Sequence, residues 1–96
     1  MHIDHIGIAV KDIKAATETY SKILNASPTK SETVESEKVE TVFFQTGESK
    51  VELLGATTDD SVIAKYVKKN GEGLHHVAFE VEDIHQELAR LKKLHD

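Results

Sequence analysis

His5-Ile6-Gly7-Ile8-Ala9-Val10-Lys11-Asp12-Ile13 returns 71 residues later as His76-Val77-Ala78-Phe79-Glu80-Val81-Glu82-Asp83-Ile84. The histidine, the Val10/Val81 pair, the aspartate and the closing isoleucine coincide, and so does the alternation. Ile6, Ile8 and Val10 fall on one side and His5, Gly7 and Ala9 on the other; Val77, Phe79 and Val81 oppose His76 and Ala78 in the same way. Period-two alternation over this length predicts a strand with two unlike faces, the aliphatic one directed at a helix. The helix follows at once in each copy. Asp12 is placed as N-cap ahead of Ile13, Ala16, Tyr20, Ile23 and Leu24, with Asn25 and Pro28 as its stop. Asp83 precedes Ile84, Leu88, Leu91 and Leu94, and Gln86 is spaced for a capping box.

Between the copies, Thr29 to Glu37 reads as a weak edge strand and turn. Val39–Gln45 and Lys50–Leu54 read as a hairpin closed by Thr46-Gly47-Glu48-Ser49. Asp59-Asp60-Ser61 then caps a short connector helix containing Val62, Ile63, Tyr66 and Val67 and ending at Gly71. The expectation is an α+β chain with a βαβββ module over residues 1–55, a linker with a short helix over 56–72, and the start of a second module over 73–96. That second module contributes one strand and one helix, its remaining strands being absent. Unpaired sheet edges should result, so a homo-oligomer, or strands from a removed C-terminal region, is expected to cover them.

The sequence has 96 residues, 39% of them hydrophobic and 30% charged, as expected for one small globular domain with a modest core. Without cysteine it has no disulfide and no thiol ligand or nucleophile. The net charge of −5 and the absence of a basic cluster beyond Lys68-Lys69 and Lys92-Lys93 argue against a nucleic-acid partner. Neither a membrane-spanning run nor a signal-peptide pattern is present, which gives the expectation of a cytoplasmic protein without a membrane partner.

His5 and His76 are the first candidates to carry chemistry. Each sits at an equivalent strand position with a small residue, Gly7 or Ala78, two places on along the same face, which leaves space beside the imidazole. A metal with exchangeable ligands needs such space, and neutral imidazole suits several divalent ions; the competing reading is a pair of half-buried histidines bonded to backbone. Glu52 interrupts the apolar run Val51-Glu52-Leu53-Leu54, where a carboxylate is costly unless paired or metal-bound; the competing reading there is an edge glutamate facing water. Two histidines and one carboxylate form a recurrent catalytic donor set. Glu40 interrupts the run around Val42 and Phe43 and is the candidate general base, although alternation leaves its face undecided. His75, assigned to the face of Val77 and Phe79, is expected to pack or meet solvent, as are His2, His85 and His95.

Ile3-Asp4-His5-Ile6-Gly7-Ile8-Ala9-Val10, Val51-Glu52-Leu53-Leu54, Ser61-Val62-Ile63-Ala64-Lys65-Tyr66 and Gly73-Leu74-His75-His76-Val77-Ala78-Phe79 occur in this order over essentially the whole chain, which thereby resembles the methylmalonyl-CoA epimerases of the vicinal oxygen chelate, glyoxalase-like superfamily. The resemblance implies paired βαβββ modules forming a cup-shaped sheet around a divalent metal, Co, Mn, Zn, Ni or Mg, usually in a homodimer. Residue by residue it maps metal ligands onto His5, Glu52 and His76; the family's fourth ligand, a glutamate of the last strand, has no counterpart here. The implied reaction interconverts the epimers of a CoA thioester by removing and returning the proton at C2 through a stabilised enolate. With that glutamate missing, the 96-residue chain is expected to bind metal but turn over weakly. A glyoxalase-type lyase or isomerase using the same cradle, and a non-catalytic metal- or small-molecule-binding module, are the alternatives.

Overall fold

The computed structural model describes residues 1–95; Asp96, where the sequence reading ends the second module, and the side chain of His95 lie outside the described part. The order is β1 (His2–Val10), α1 (Ile13–Leu24), β2 (Lys30–Val34), β3 (Val39–Thr46), β4 (Ser49–Ala56), α2 (Val62–Asn70), β5 (Gly73–Glu80) and α3 (Ile84–His95). The helix starts follow local chemistry. Asp12 Oδ1 accepts the Ala15 N–H at 3.1 Å, Ser61 Oγ accepts that of Ala64 at 3.0 Å, and Asp83 Oδ1 accepts that of Gln86 at 3.1 Å, each satisfying a donor that the helix itself leaves unpaired. α1 ends at Asn25, which takes the left-handed conformation (φ 50°) that asparagine tolerates better than most residues.

One five-stranded sheet runs β2-β3-β4-β1-β5. β1 lies parallel to β4, the arrangement that a helical crossover such as α1 permits, and the other neighbouring pairs are antiparallel. Strand alternation then sorts the side chains. Val42 and Phe44 of β3 and Val51 and Leu53 of β4 form a buried cluster against which Ile6, Ile8, Ile13, Ala16, Tyr20 and Leu24 pack, so this is the α1 face. Gly55 brings the sheet close to the helix: a Cβ there would lie 2.9 Å from that of Ile13. Ile23 stays exposed, because the adjacent Leu24 takes the inward place on the helix. On the opposite face Ala9, Val39, Leu54 and Ile63 form a second buried cluster, closed by Tyr66 and Val67 of α2. α2 therefore covers one end of the face that carries His5, Gly7 and Ala9, and the other end is open.

The apolar stripe of α3 differs from that of α1. Ile84, Leu88, Leu91 and Leu94 are all exposed, as are Val77 and Phe79 on β5. The α1 stripe is half-buried against β3 and β4; β5 alone is too narrow a partner for α3. Among the described residues, no helix is long and apolar enough to cross a membrane.

Candidate functional site

Three neighbouring strands bring His5, Glu52 and His76 together. Gly7 on β1 is the centre of this arrangement, opposed by Glu52 of β4 on one side and by His76 of β5 on the other. Its missing side chain is what admits the imidazole: a Cβ on Gly7 would lie 2.2 Å from Cε1 of His76. His76 Nε2 stands 3.2 Å from Glu52 Oε1, His5 Nε2 3.6 Å from the same oxygen, and the two Nε2 atoms are 3.2 Å apart. The rings are nearly perpendicular (89°), and each brings its Nε2 to the same Glu52 oxygen. The Glu52 side chain is only 12% exposed and, among the described residues, no lysine or arginine lies within ion-pair distance of it; the two imidazoles are its polar neighbours. A buried carboxylate demands such partners.

The outer ring nitrogens are also engaged. Asp4 Oδ2 lies 2.8 Å from Nδ1 of His5, and Lys50 Nζ lies 3.6 Å from the other Asp4 oxygen. The hydrogen bond with His5, aided by the Lys50 charge, holds the Asp4 carboxyl below the usual carboxylate range. His75 Nδ1 lies 2.9 Å from Nδ1 of His76, and its ring meets Tyr66 edge to face with centroids 4.8 Å apart. The expectation that His75 packs beside Val77 and Phe79 is thus corrected. An irregularity in β5 breaks the alternation on which it rested: Gly7 pairs with His76 but the adjacent Ile8 pairs with Leu74, leaving His75 as an extra residue.

Two cavities flank the histidines. One, about 280 Å³, is walled mainly by apolar side chains, Val34, Val39, Leu54 and Ile63 among them, with His75, His76 and Glu37 at its border. The other, about 330 Å³, lies beside His5 and carries Lys30 and Lys50. Glu40 borders neither. It pairs with Gly55 and lines a depression with Ile13, Lys14 and Thr17 on the α1 face, so the structure separates it by the thickness of the sheet from the three convergent residues. Glu37, in the turn between β2 and β3, is the carboxylate at the cavity next to His76. Its turn position hid it, because no strand alternation extends there. His2 pairs with Glu80 at 3.0 Å, and His85 is exposed; neither approaches the cluster.

The donor set fits a divalent ion. An ion about 2.0–2.1 Å from imidazole nitrogen separates adjacent donors by roughly 2.8–3.4 Å, the lower end for octahedral and the upper for tetrahedral arrangements. Of the observed separations, the two of 3.2 Å lie within that range and the third, 3.6 Å, lies just above it. All three donors lie within 4.8 Å of one another.

Comparison with known proteins agrees with the fold. The chain is 42% identical over 93 residues to an uncharacterized protein, YqjC, of Bacillus subtilis (strain 168), covering 97% of this chain and 66% of that one. It is 36% identical over 92 residues to the mitochondrial methylmalonyl-CoA epimerase of Homo sapiens, covering 95% of this chain and 52% of that one. A solved methylmalonyl-CoA epimerase in complex with methylmalonyl-CoA and NH4+ superimposes with a TM-score of 0.79 at 34% identity, over 96% of this chain and 68% of the other. The chain therefore spans between half and two thirds of the length of these curated relatives. With residues 4–94 matching the pattern of the Glyoxalase/Bleomycin resistance protein/Dioxygenase superfamily, the chain belongs to that superfamily, and methylmalonyl-CoA epimerases are among its relatives there.

Proposed function

We propose that this protein is a metal-dependent epimerase acting at C2 of methylmalonyl-CoA, with His5, Glu52 and His76 as its metal ligands. The convergence of two Nε2 atoms and one carboxylate oxygen beside Gly7 carries this reading. A divalent ion bound there supplies Lewis-acid stabilisation of the negative charge that appears on the thioester oxygen when C2 loses its proton. Three protein ligands leave coordination positions for substrate oxygens.

The chain's own residues do the rest. The apolar cavity beside His76 is of a size to take a short acyl group. Glu37, exposed at that cavity, takes the place of Glu40 as the carboxylate suited to exchange a proton on the site's side of the sheet. Lys30 and Lys50 place ammonium groups at the cavity beside His5, where Asp4 pairs with Lys50 and Glu32 with Lys30; an anionic thioester substrate would meet the two cations there. The relatives' names support the substrate class.

The test is proton exchange in deuterium oxide. The metal-loaded protein is expected to wash deuterium into C2 of methylmalonyl-CoA and to leave the methylglyoxal–glutathione adduct unchanged. The opposite pattern favours a glyoxalase-type reaction, and no reaction with either leaves a binding module.

A further inference from the structure

β1 and β5 pair antiparallel with two irregularities. Ile3 pairs with Phe79 and His5 with Ala78, so Asp4 is an extra residue on β1; Gly7 pairs with His76 and Ile8 with Leu74, so His75 is an extra residue on β5. Asp4 and His75 are themselves 71 residues apart, the interval of the duplication, so the two bulges are equivalent positions of the two copies. A bulge frees its extra residue from strict alternation and re-aims its side chain. Here each delivers a polar atom to Nδ1 of the histidine that follows, at 2.8 Å for Asp4 on His5 and 2.9 Å for His75 on His76.

We infer that Asp4 and His75 are paired positioning residues, each accepting the Nδ1 proton of the adjacent histidine so that Nε2 of His5 and of His76 is the free donor atom facing Glu52. The chemistry of neutral imidazole requires this division, since one ring nitrogen carries the proton and the other the lone pair. His76 donates and His75 accepts, which leaves the His75 proton on its own Nε2. Each acceptor is braced from outside the strand pair. Lys50 of β4 stands 3.6 Å from Asp4 Oδ1; Tyr66 of α2 packs against the His75 ring, and its hydroxyl donates to the Leu74 carbonyl at 2.7 Å, pinning the bulge. The two acceptors differ in kind: a carboxylate stands behind His5 and an imidazole behind His76.

This inference rests on the metal reading above, and its test separates the two. Zinc binding is measured by calorimetry, and the ring N–H protons of the zinc-loaded protein are followed by NMR. Wild type is expected to show two slowly exchanging Nδ1–H signals, one on each ligand histidine. Asp4→Ala should abolish the His5 signal alone and His75→Ala the His76 signal alone, each weakening zinc binding by about 10–100-fold, the usual effect of removing an outer partner. Asp4→Asn and His75→Asn, which keep an acceptor near the same place, should restore the signal and most of the affinity. The untouched histidine in each variant reports that the fold persists. Alanine variants that bind zinc as tightly as wild type with both signals intact overturn the inference and leave the metal site standing; a wild-type protein that takes up no zinc overturns both.

Discussion

Gly7 bears on function more directly than any charged residue except the three donors, because the sheet at this point has no room for a Cβ and the His76 ring together. Gly7→Ala should force the imidazole out of line and weaken metal binding roughly as much as removing an outer partner does, by about 10–100-fold, while the melting temperature falls only slightly; calorimetry with the apo variant is the check. The acid–base assignment is tested by a pair of isosteric changes. Glu37→Gln is expected to slow C2 exchange by about 10²–10⁴-fold with metal affinity unchanged, and Glu40→Gln, on the other side of the sheet, to leave the rate within about a factor of two. At this scale the sequence was informative where two copies could be compared. His5, His76 and the small residues beside them announced themselves by recurrence, and Glu52 by interrupting apolar neighbours. Glu40 interrupted a run in the same way and faced the wrong side, since interruption marks a polar residue on a strand without saying which face it occupies.

The elements rest on ordinary burial and capping. Leu53 of β4 is fully buried between sheet and α1, and Leu53→Ala should cost about 2–5 kcal/mol of stability in denaturant unfolding, as a cavity in a close-packed core does. The Lys38–Asp60 ion pair ties the β2–β3 turn to the segment leading into α2, and with Thr58 it holds the Asp60 carboxyl down to about 2 from an ordinary 3.8. Because the folded value is the lower one, the pair's contribution is present above about pH 4 and is lost as pH falls toward about 2; Asp60→Asn should flatten the acid limb of the stability–pH curve in that window. Helix starts and the β3–β4 hairpin were legible because Asp12, Ser61, Asp83 and Gly47 act through neighbours in sequence. The paired bulges were not, since a bulge is a relation between two strands and appears only when the register of one is laid against the other.

For the whole molecule, the open feature is the apolar surface of β5 and α3, where Phe79, Ile84, Leu88, Leu91 and Leu94 all meet solvent. In the first copy the equivalent helix stripe packs, half-buried, against the cluster of β3 and β4. A homo-oligomer is the proposed cover for this surface, and light scattering across a wide concentration range should find a dimer or larger; a monomer throughout contradicts it. The α+β architecture and its internal repeat were legible from one recurring segment, whereas the exposure of α3 depends on what packs against it, which amphipathic spacing within the helix does not encode. The central claim is that His5, Glu52 and His76 form one divalent-metal site, and a cobalt titration followed by visible absorption tests it most directly. The account predicts saturation at about one ion per chain, with affinity reduced by roughly 100-fold or more in each of His5→Ala, Glu52→Ala and His76→Ala, a first ligand costing at least what an outer partner does. Undiminished cobalt binding in all three variants, or none by the wild-type protein, would contradict it.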